Sequence, residues 1–201
     1  MFEEERNVMN MVIDIFKMTF VLELIGFLLL FLRWVFYFPN IQTALYQSLF
    51  HSVSAFCNAG FSLFSDSLMQ FSGDAAVNLI VILLIFFGGT GFIAYYDLLE
   101  KFKRSDKRLS PYTKIVLWVS AAGIILGFFV VFFMEYDKSL VQNSIIQKCW
   151  IALFQSVTTR TAGFNTVDIG SLSRITLTVM MILMFIGASP GSTGGGIKTT
   201  T

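Results

Sequence analysis

An all-α integral membrane protein, built of two tandem units that each carry a re-entrant loop between two helices, is the fold this chain predicts. Three observations predict it. Hydrophobic residues make up 55% of the chain and charged residues 13%, against about 25% charged in a soluble domain. Four apolar runs approach the roughly 20 residues a helix needs to cross ~30 Å of hydrocarbon. Finally, one segment occurs twice: Leu49-Phe50-His51-Ser52-Val53 is matched by Leu153-Phe154-Gln155-Ser156-Val157, and Ala59-Gly60-Phe61 by Ala162-Gly163-Phe164. The first copy carries one extra residue between the two matching parts. The net charge of +1 and the lack of a long basic run exclude nucleic acid as an expected partner. Cys57 and Cys149 have no metal-ligand spacing and read as free thiols.

The elements follow in order. A charged N-terminal segment, residues 1–15, opens with Glu3, Glu4, Glu5 and Arg6 and reads as cytoplasmic rather than as a signal peptide. The first unit spans residues 16–99, with apolar runs from Phe16 to Phe38 and from Ala75 to Tyr96; Gly88-Gly89-Thr90-Gly91 interrupts the second. Residues 100–112 form a link in which Lys101, Lys103, Arg104, Lys107 and Arg108, with Lys114 just beyond, outnumber Glu100 and Asp106. The excess of cations predicts that this link is cytoplasmic, which puts both repeated segments on the outer side. The second unit, 113–201, has runs from Thr113 to Met134 and from Ile175 to Ile186. Chain termination at Thr201, within the pattern of the fourth span, predicts a fragment of a longer frame.

Between the paired spans lie roughly 36 and 40 residues, enough for a short helix to enter the membrane and a strand to return. The entering helices are predicted to begin near Gln42 and Ile145 and to aim their C-termini, the negative ends of their dipoles, at a cation path. Each loop ends in a glycine, Gly60 or Gly163, which permits backbone carbonyls to line an axis without side chains in the way. Two such units cannot close a ring of four, so the pore requires a dimer or a longer chain.

The run from Ile175 to Ile186 is 12 residues, about 18 Å of helix and some 12 Å short of crossing. Glycine and proline then fall at membrane depth, where irregular backbone must line a cavity or be buried in protein. Gly191 to Lys198 nearly spells a phosphate-binding loop, but Ile197 separates Gly196 from Lys198 and no strand precedes it.

Ser54 to Phe61, Thr158 to Asn165, and Gly187 to Lys198 resemble, in that order, three motifs of the Trk/Ktr/HKT superfamily of potassium transporters. More narrowly they resemble the bacterial Trk/Ktr pore-forming membrane subunit, whose chain has four helix–pore-loop–helix units. The resemblance covers the second unit and most of the third. It implies a K⁺ pathway, with Na⁺ as a second candidate ion, in a multi-pass protein of the bacterial plasma membrane, with no covalent chemistry and no cofactor. It implies filter carbonyls at Cys57, Asn58, Ala59 and Gly60 and at Arg160, Thr161, Ala162 and Gly163. It also implies a gate formed by Gly187, Ala188, Ser189, Pro190, Gly191, Ser192, Thr193, Gly194, Gly195 and Gly196. The partners implied are membrane lipid, a second full-length subunit and a cytosolic nucleotide-binding regulatory subunit. A non-conducting membrane scaffold is the competing reading.

Individual residues carry further expectations. Arg160 is expected to turn behind the filter and brace backbone carbonyls or a neighbouring carboxylate. Glu23, inside the first span, is either a functional carboxylate or a snorkelling one. Gly123 and Gly127 predict close helix packing, and His51 a packed or interfacial role. Trp34, Tyr37, Trp118 and Trp150 are expected to face lipid or its interface.

Overall fold

Seven α-helices and two short 3₁₀ helices, Met69–Phe71 and Ile169–Ser171, make up the helical structure of the computed structural model, which describes residues 2–103 and 108–198. Arg104, Asp106 and Lys107 of the basic link, and Thr199 to Thr201, lie outside the described residues. Helix α1 runs from Phe2 to Trp34 and ends a few residues before Pro39, since the residue before a proline is pushed out of helical geometry. Asn40 then starts α2, Ile41–Phe56, by accepting a hydrogen bond from the Gln42 amide at 3.1 Å. This helix turns back along α1 and stops halfway. The Ser52 hydroxyl donates to the Glu23 carbonyl at 2.6 Å, and Cys57, just past the helix end, sits 3.8 Å from the Glu23 carboxylate.

Helix α3, Ala75–Thr90, is capped by Asp74, which accepts from the Ala76 and Val77 amides and pairs with Arg33 at 2.7 Å. The second apolar run is not one straight span. At Gly91, with φ of +88°, the chain bends by 103° into α4, Phe92–Lys103. Left-handed backbone is open to glycine and costly for other residues, so the bend falls there.

The second unit repeats the first. Helix α5, Pro111–Glu135, has Ser110 as its cap and proline in the first turn, where a missing N–H costs nothing. Helix α6, Ile145–Thr158, opens with a capping box in which Ser144 and Gln147 satisfy each other's backbone amides. Helix α7, Arg174–Phe185, starts under Glu135. That fully buried carboxylate accepts from the Ser173 amide at 2.9 Å, the Thr176 hydroxyl at 2.6 Å and the Ser139 hydroxyl at 2.8 Å. Among the described residues, α1 and α5 are long and apolar enough to cross a membrane, and the bent pair α3–α4 makes a third candidate span.

The units share one core, which runs from Leu30 and Trp34 through Phe56, Val81 and Ile85 to Phe154 and Phe164. Trp34 corrects the expectation of a lipid-facing ring. It is fully buried, edge-on to His51 at 5.2 Å and against Phe64 and Phe71. The returning α2 and its loop cover it, a partner that apolar counts along one helix do not reveal. His51 is packed, stacked on Phe64 and bonded to the Gln47 carbonyl and the Ser62 hydroxyl. Trp118 faces outward at 76% exposure.

Candidate ion-permeation site

Both half-length helices end at a loop of the same build. Ser54 in α2 donates to the Phe61 carbonyl at 2.8 Å, and Thr158 in α6 donates to the Phe164 carbonyl at 2.6 Å. Each bond closes its loop across the intervening residues. Within both loops the backbone turns left-handed twice, at Asn58 (φ +51°) and Gly60 (φ +70°), and at Thr161 (φ +69°) and Gly163 (φ +85°).

The two glycines face one another. A Cβ on Gly60 would lie 2.6 Å from the Ala162 carbonyl oxygen and 2.7 Å from the Gly163 Cα. The structure thus brings Ala59 and Gly60 together with Ala162 and Gly163, just past the C-termini of α2 and α6, while Cys57 and Arg160 line separate cavities. Those helix ends direct negative partial charge at the place where the loops meet.

The glycine-rich stretch after α7 folds beneath these loops as a closed flap. Its ends are pinned where the Gly187 amide donates to the Ile197 carbonyl at 2.9 Å and the Ile197 amide to the Phe185 carbonyl at 3.1 Å. Part of it fills the α3–α4 bend. The bend leaves the Gly88 and Gly89 carbonyls without helical partners, and they accept from the Thr193 and Ser189 amides at 3.2 and 3.1 Å. The Gly191 carbonyl in turn accepts from the Phe92 amide, and the Pro190 carbonyl from the Tyr112 hydroxyl, both at 3.1 Å.

Other contacts join the flap to the loops themselves. The Thr193 hydroxyl donates to the Phe56 carbonyl and accepts from the Asn58 side-chain amide, both at 2.9 Å, and the Gly195 amide donates to the Thr161 hydroxyl at 2.9 Å. Lys198 closes the flap's far side by donating to the Gly194 carbonyl at 2.7 Å. Sequence reasoning placed Asn58 and Thr161 by their carbonyls and missed their side chains. A signal was present in Gly88-Gly89-Thr90-Gly91, a second glycine-rich break at membrane depth that would need polar partners.

Arg160 corrects another expectation. Its side chain is 9% exposed, and among the described residues its Nη2 is buried without a hydrogen-bond partner, so that nitrogen braces nothing. The reason is visible in the other unit. Where α1 presents Glu23 to Cys57, α5 has Ile124, whose carbonyl accepts from Ser156 as that of Glu23 does from Ser52. Arg160 instead lines a cavity of about 240 Å³ with Ala122, Gly123, Leu126, Leu183 and Gly187. Glu23 itself, half-buried and beside Cys57, does not snorkel away from the loop.

Residues 3–201 match the family model described as TrkH, cation transport protein. The chain belongs to the TrkH family of cation transporters. It is 40% identical over 199 residues to the Ktr system potassium uptake protein B of Bacillus subtilis, covering 97% of this chain and 44% of that protein. It is 37% identical to the potassium/sodium uptake protein NtpJ of Enterococcus hirae, covering 99% of this chain and 44% of that protein. This TrkH-family chain therefore spans less than half the length of these relatives. The crystal structure of the potassium transporter TrkH from Vibrio parahaemolyticus superposes with a TM-score of 0.66, over 88% of this chain and 36% of the other, at 23% identity. The all-helical membrane fold of this chain is therefore similar to that of the TrkH structure.

Proposed function

We propose that this chain supplies two pore units of a bacterial potassium uptake transporter, which passes K⁺, with Na⁺ as a second candidate ion, down its electrochemical gradient. The observation that carries the reading is the meeting of Gly60 and Gly163 at the ends of two half-length helices, within one membrane-spanning fold. Backbone carbonyls of Cys57 to Gly60 and of Arg160 to Gly163 replace the water around the ion. The C-termini of α2 and α6 add favourable potential for a cation. Two loops make half of a fourfold ring, and the relatives' greater length is consistent with the other half lying elsewhere in a full-length subunit.

Residues Gly187 to Gly196 form the gate. They occupy the space beneath the loops and are held by hydrogen bonds rather than by apolar packing. The full-length subunit sits in the inner membrane as a dimer, surrounded by lipid. A cytosolic nucleotide-binding subunit acts from the side of the basic link.

The test is relative K⁺ and Na⁺ uptake by the full-length transporter carrying Gly60→Ser or Gly163→Ser. A side chain at these angles costs about 1–2 kcal/mol and presses on the facing loop. Both variants should reach the membrane and lose preference for K⁺ several-fold. Unchanged preference in both would remove the glycines from the filter, and a wild-type protein that carries no K⁺ would favour the scaffold reading.

A further inference from the structure

We infer that Asn58 and Thr161 are positioning residues that latch the flap to the ion filter, so that opening the flap also loosens ion discrimination. The inference rests on the filter and gate assigned above. Asn58 and Thr161 each lie two positions before the loop glycine, and each has a left-handed backbone, which L-residues adopt at a cost. Something must hold them there. In both loops the side chain at this position reaches down to the flap, Asn58 to the Thr193 hydroxyl and Thr161 to the Gly195 amide.

The two latches differ in construction, which separates their effects. At Asn58 the carboxamide is buried; its Nδ2 bonds Thr193 at 2.9 Å and Phe56 at 3.3 Å, while Oδ1 has no hydrogen-bond partner among the described residues. The Thr193 hydroxyl is the hub, because it also donates to the Phe56 carbonyl. Removing this one hydroxyl leaves two buried polar groups short of a partner. At Thr161 the hydroxyl is the acceptor for a flap amide, so its loss frees one flap donor and leaves the loop backbone without its tether.

A flap that swings away must break both latches. Asn58 and Thr161 then lose the contacts that offset their strained backbone, and the carbonyls next to them are free to rotate. Open flap and relaxed filter become one state. K⁺ flux and K⁺/Na⁺ preference are coupled through these two side chains.

The experiment uses the full-length transporter, with initial K⁺ and Na⁺ uptake normalised to the amount of protein in the membrane. The variants are Thr193→Val, Thr161→Val, the pair together, the matching serine substitutions, and a flap shortened by four residues among Ser192 to Gly196. Valine keeps the shape of threonine and removes the hydroxyl, whereas serine keeps the hydroxyl. Each valine should raise K⁺ uptake about fivefold, the effect of one net hydrogen bond, and lower K⁺/Na⁺ preference in step. The serines, which keep the hydroxyl, should change flux and preference less than the valines do, which a packing role for the methyl group would not allow.

If the shortened flap raises uptake while the valines leave flux and preference unchanged, the gate stands and the latch is overturned. If the shortened flap is inserted normally and carries K⁺ no faster, the gate reading fails and the latch with it. A cross-link guards against misfolded valine variants: Asn58→Cys with Thr193→Cys, in a background without Cys57 and Cys149. Oxidation should silence uptake and reduction restore it. Uptake unaffected by a bond shown to have formed would overturn the latch.

Discussion

The first unit holds a carboxylate beside its loop, and the second holds a guanidinium with a buried nitrogen unpaired, although both are built on the same ties. Ser52 and Ser156 fix the half-length helices to α1 and α5 through bonds of 2.6 Å each. Ser54 and Thr158 close the loops in the same way. Gly26 and Gly127 let the serines approach, since a Cβ at either would lie within 2.6 Å of the hydroxyl. The charged positions diverge: Glu23 beside Cys57 in one unit, Ile124 and Arg160 in the other. The comparison teaches that loop geometry is held by neutral, short-range bonds repeated in both halves, while charge is free to differ around a common axis.

The largest expected effect breaks the comparison at the outer ends of the second helices. Asp74 caps α3 and Ser173 caps α7, each from its own N-terminus, but α7 is also held by Glu135 at the end of α5. Replacing Glu135 by alanine takes an acceptor from the buried Thr176 hydroxyl and from the half-buried Ser139 hydroxyl and Ser173 amide, and should lower stability by about 2 kcal/mol. Replacing Arg33, whose pair with Asp74 is more than half exposed on its own side, should cost less than about 1 kcal/mol. Thermal unfolding in detergent, with membrane abundance alongside, ranks the two. Equal losses would contradict the assigned role of Glu135.

A middle-sized effect sharpens the likeness of the units. Gly26→Ala and Gly127→Ala each force a methyl group onto a serine hydroxyl and a leucine, and each should cost up to about 2 kcal/mol. Gly123→Ala, one turn away on α5, meets nothing within 4 Å and should raise stability by up to about 1 kcal/mol, since alanine favours a helix interior over glycine. The same unfolding measurement checks all three. The Gly-x-x-x-Gly spacing therefore packs at one of its two glycines.

The smallest effect asks whether the units can be made alike in charge. Ile124→Glu gives α5 the carboxylate that α1 already has and places it near Arg160. Combined with Arg160→Cys in a double-mutant cycle, it should reveal a favourable coupling of about 1 kcal/mol in thermal stability between the introduced carboxylate and the Arg160 guanidinium. A coupling of zero would mean that the guanidinium is turned away from the position Glu23 occupies in the first unit.

Much of this was legible in the residues. The half-length helices begin at Ile41 and Ile145, next to the positions expected, because each follows a side chain suited to capping, Asn40 or Ser144, at the edge of an apolar stretch. The short final helix ends at Phe185 because glycine and proline follow within a few residues. The break at Gly88 to Gly91 was legible, but the angle of the bend was not. Hydropathy counts residues and carries no direction, so a run with glycine in it reads as one span whether it is straight or turned by 103°. Trp34 and Arg160 were misread for a related reason: their surroundings come from the opposite arm of the hairpin, and nothing local announces them. Asn58 and Thr161 were noticed for their backbone, while their side-chain partners lie some 135 and 34 positions away along the chain.

The single bridge between Ile186 and Ile197 has a consequence for how this region can change over time. Because the two ends of the flap already touch, the entropic cost of closing it depends only weakly on its length, about 0.6 kcal/mol for each doubling. Residues can be gained or lost between the flap's ties to Gly88, Gly89, Phe92, Asn58 and Thr161 without shifting the register of α7. Conductance could then drift under selection by trimming or padding one small ring, while the membrane architecture that carries it stays as it was.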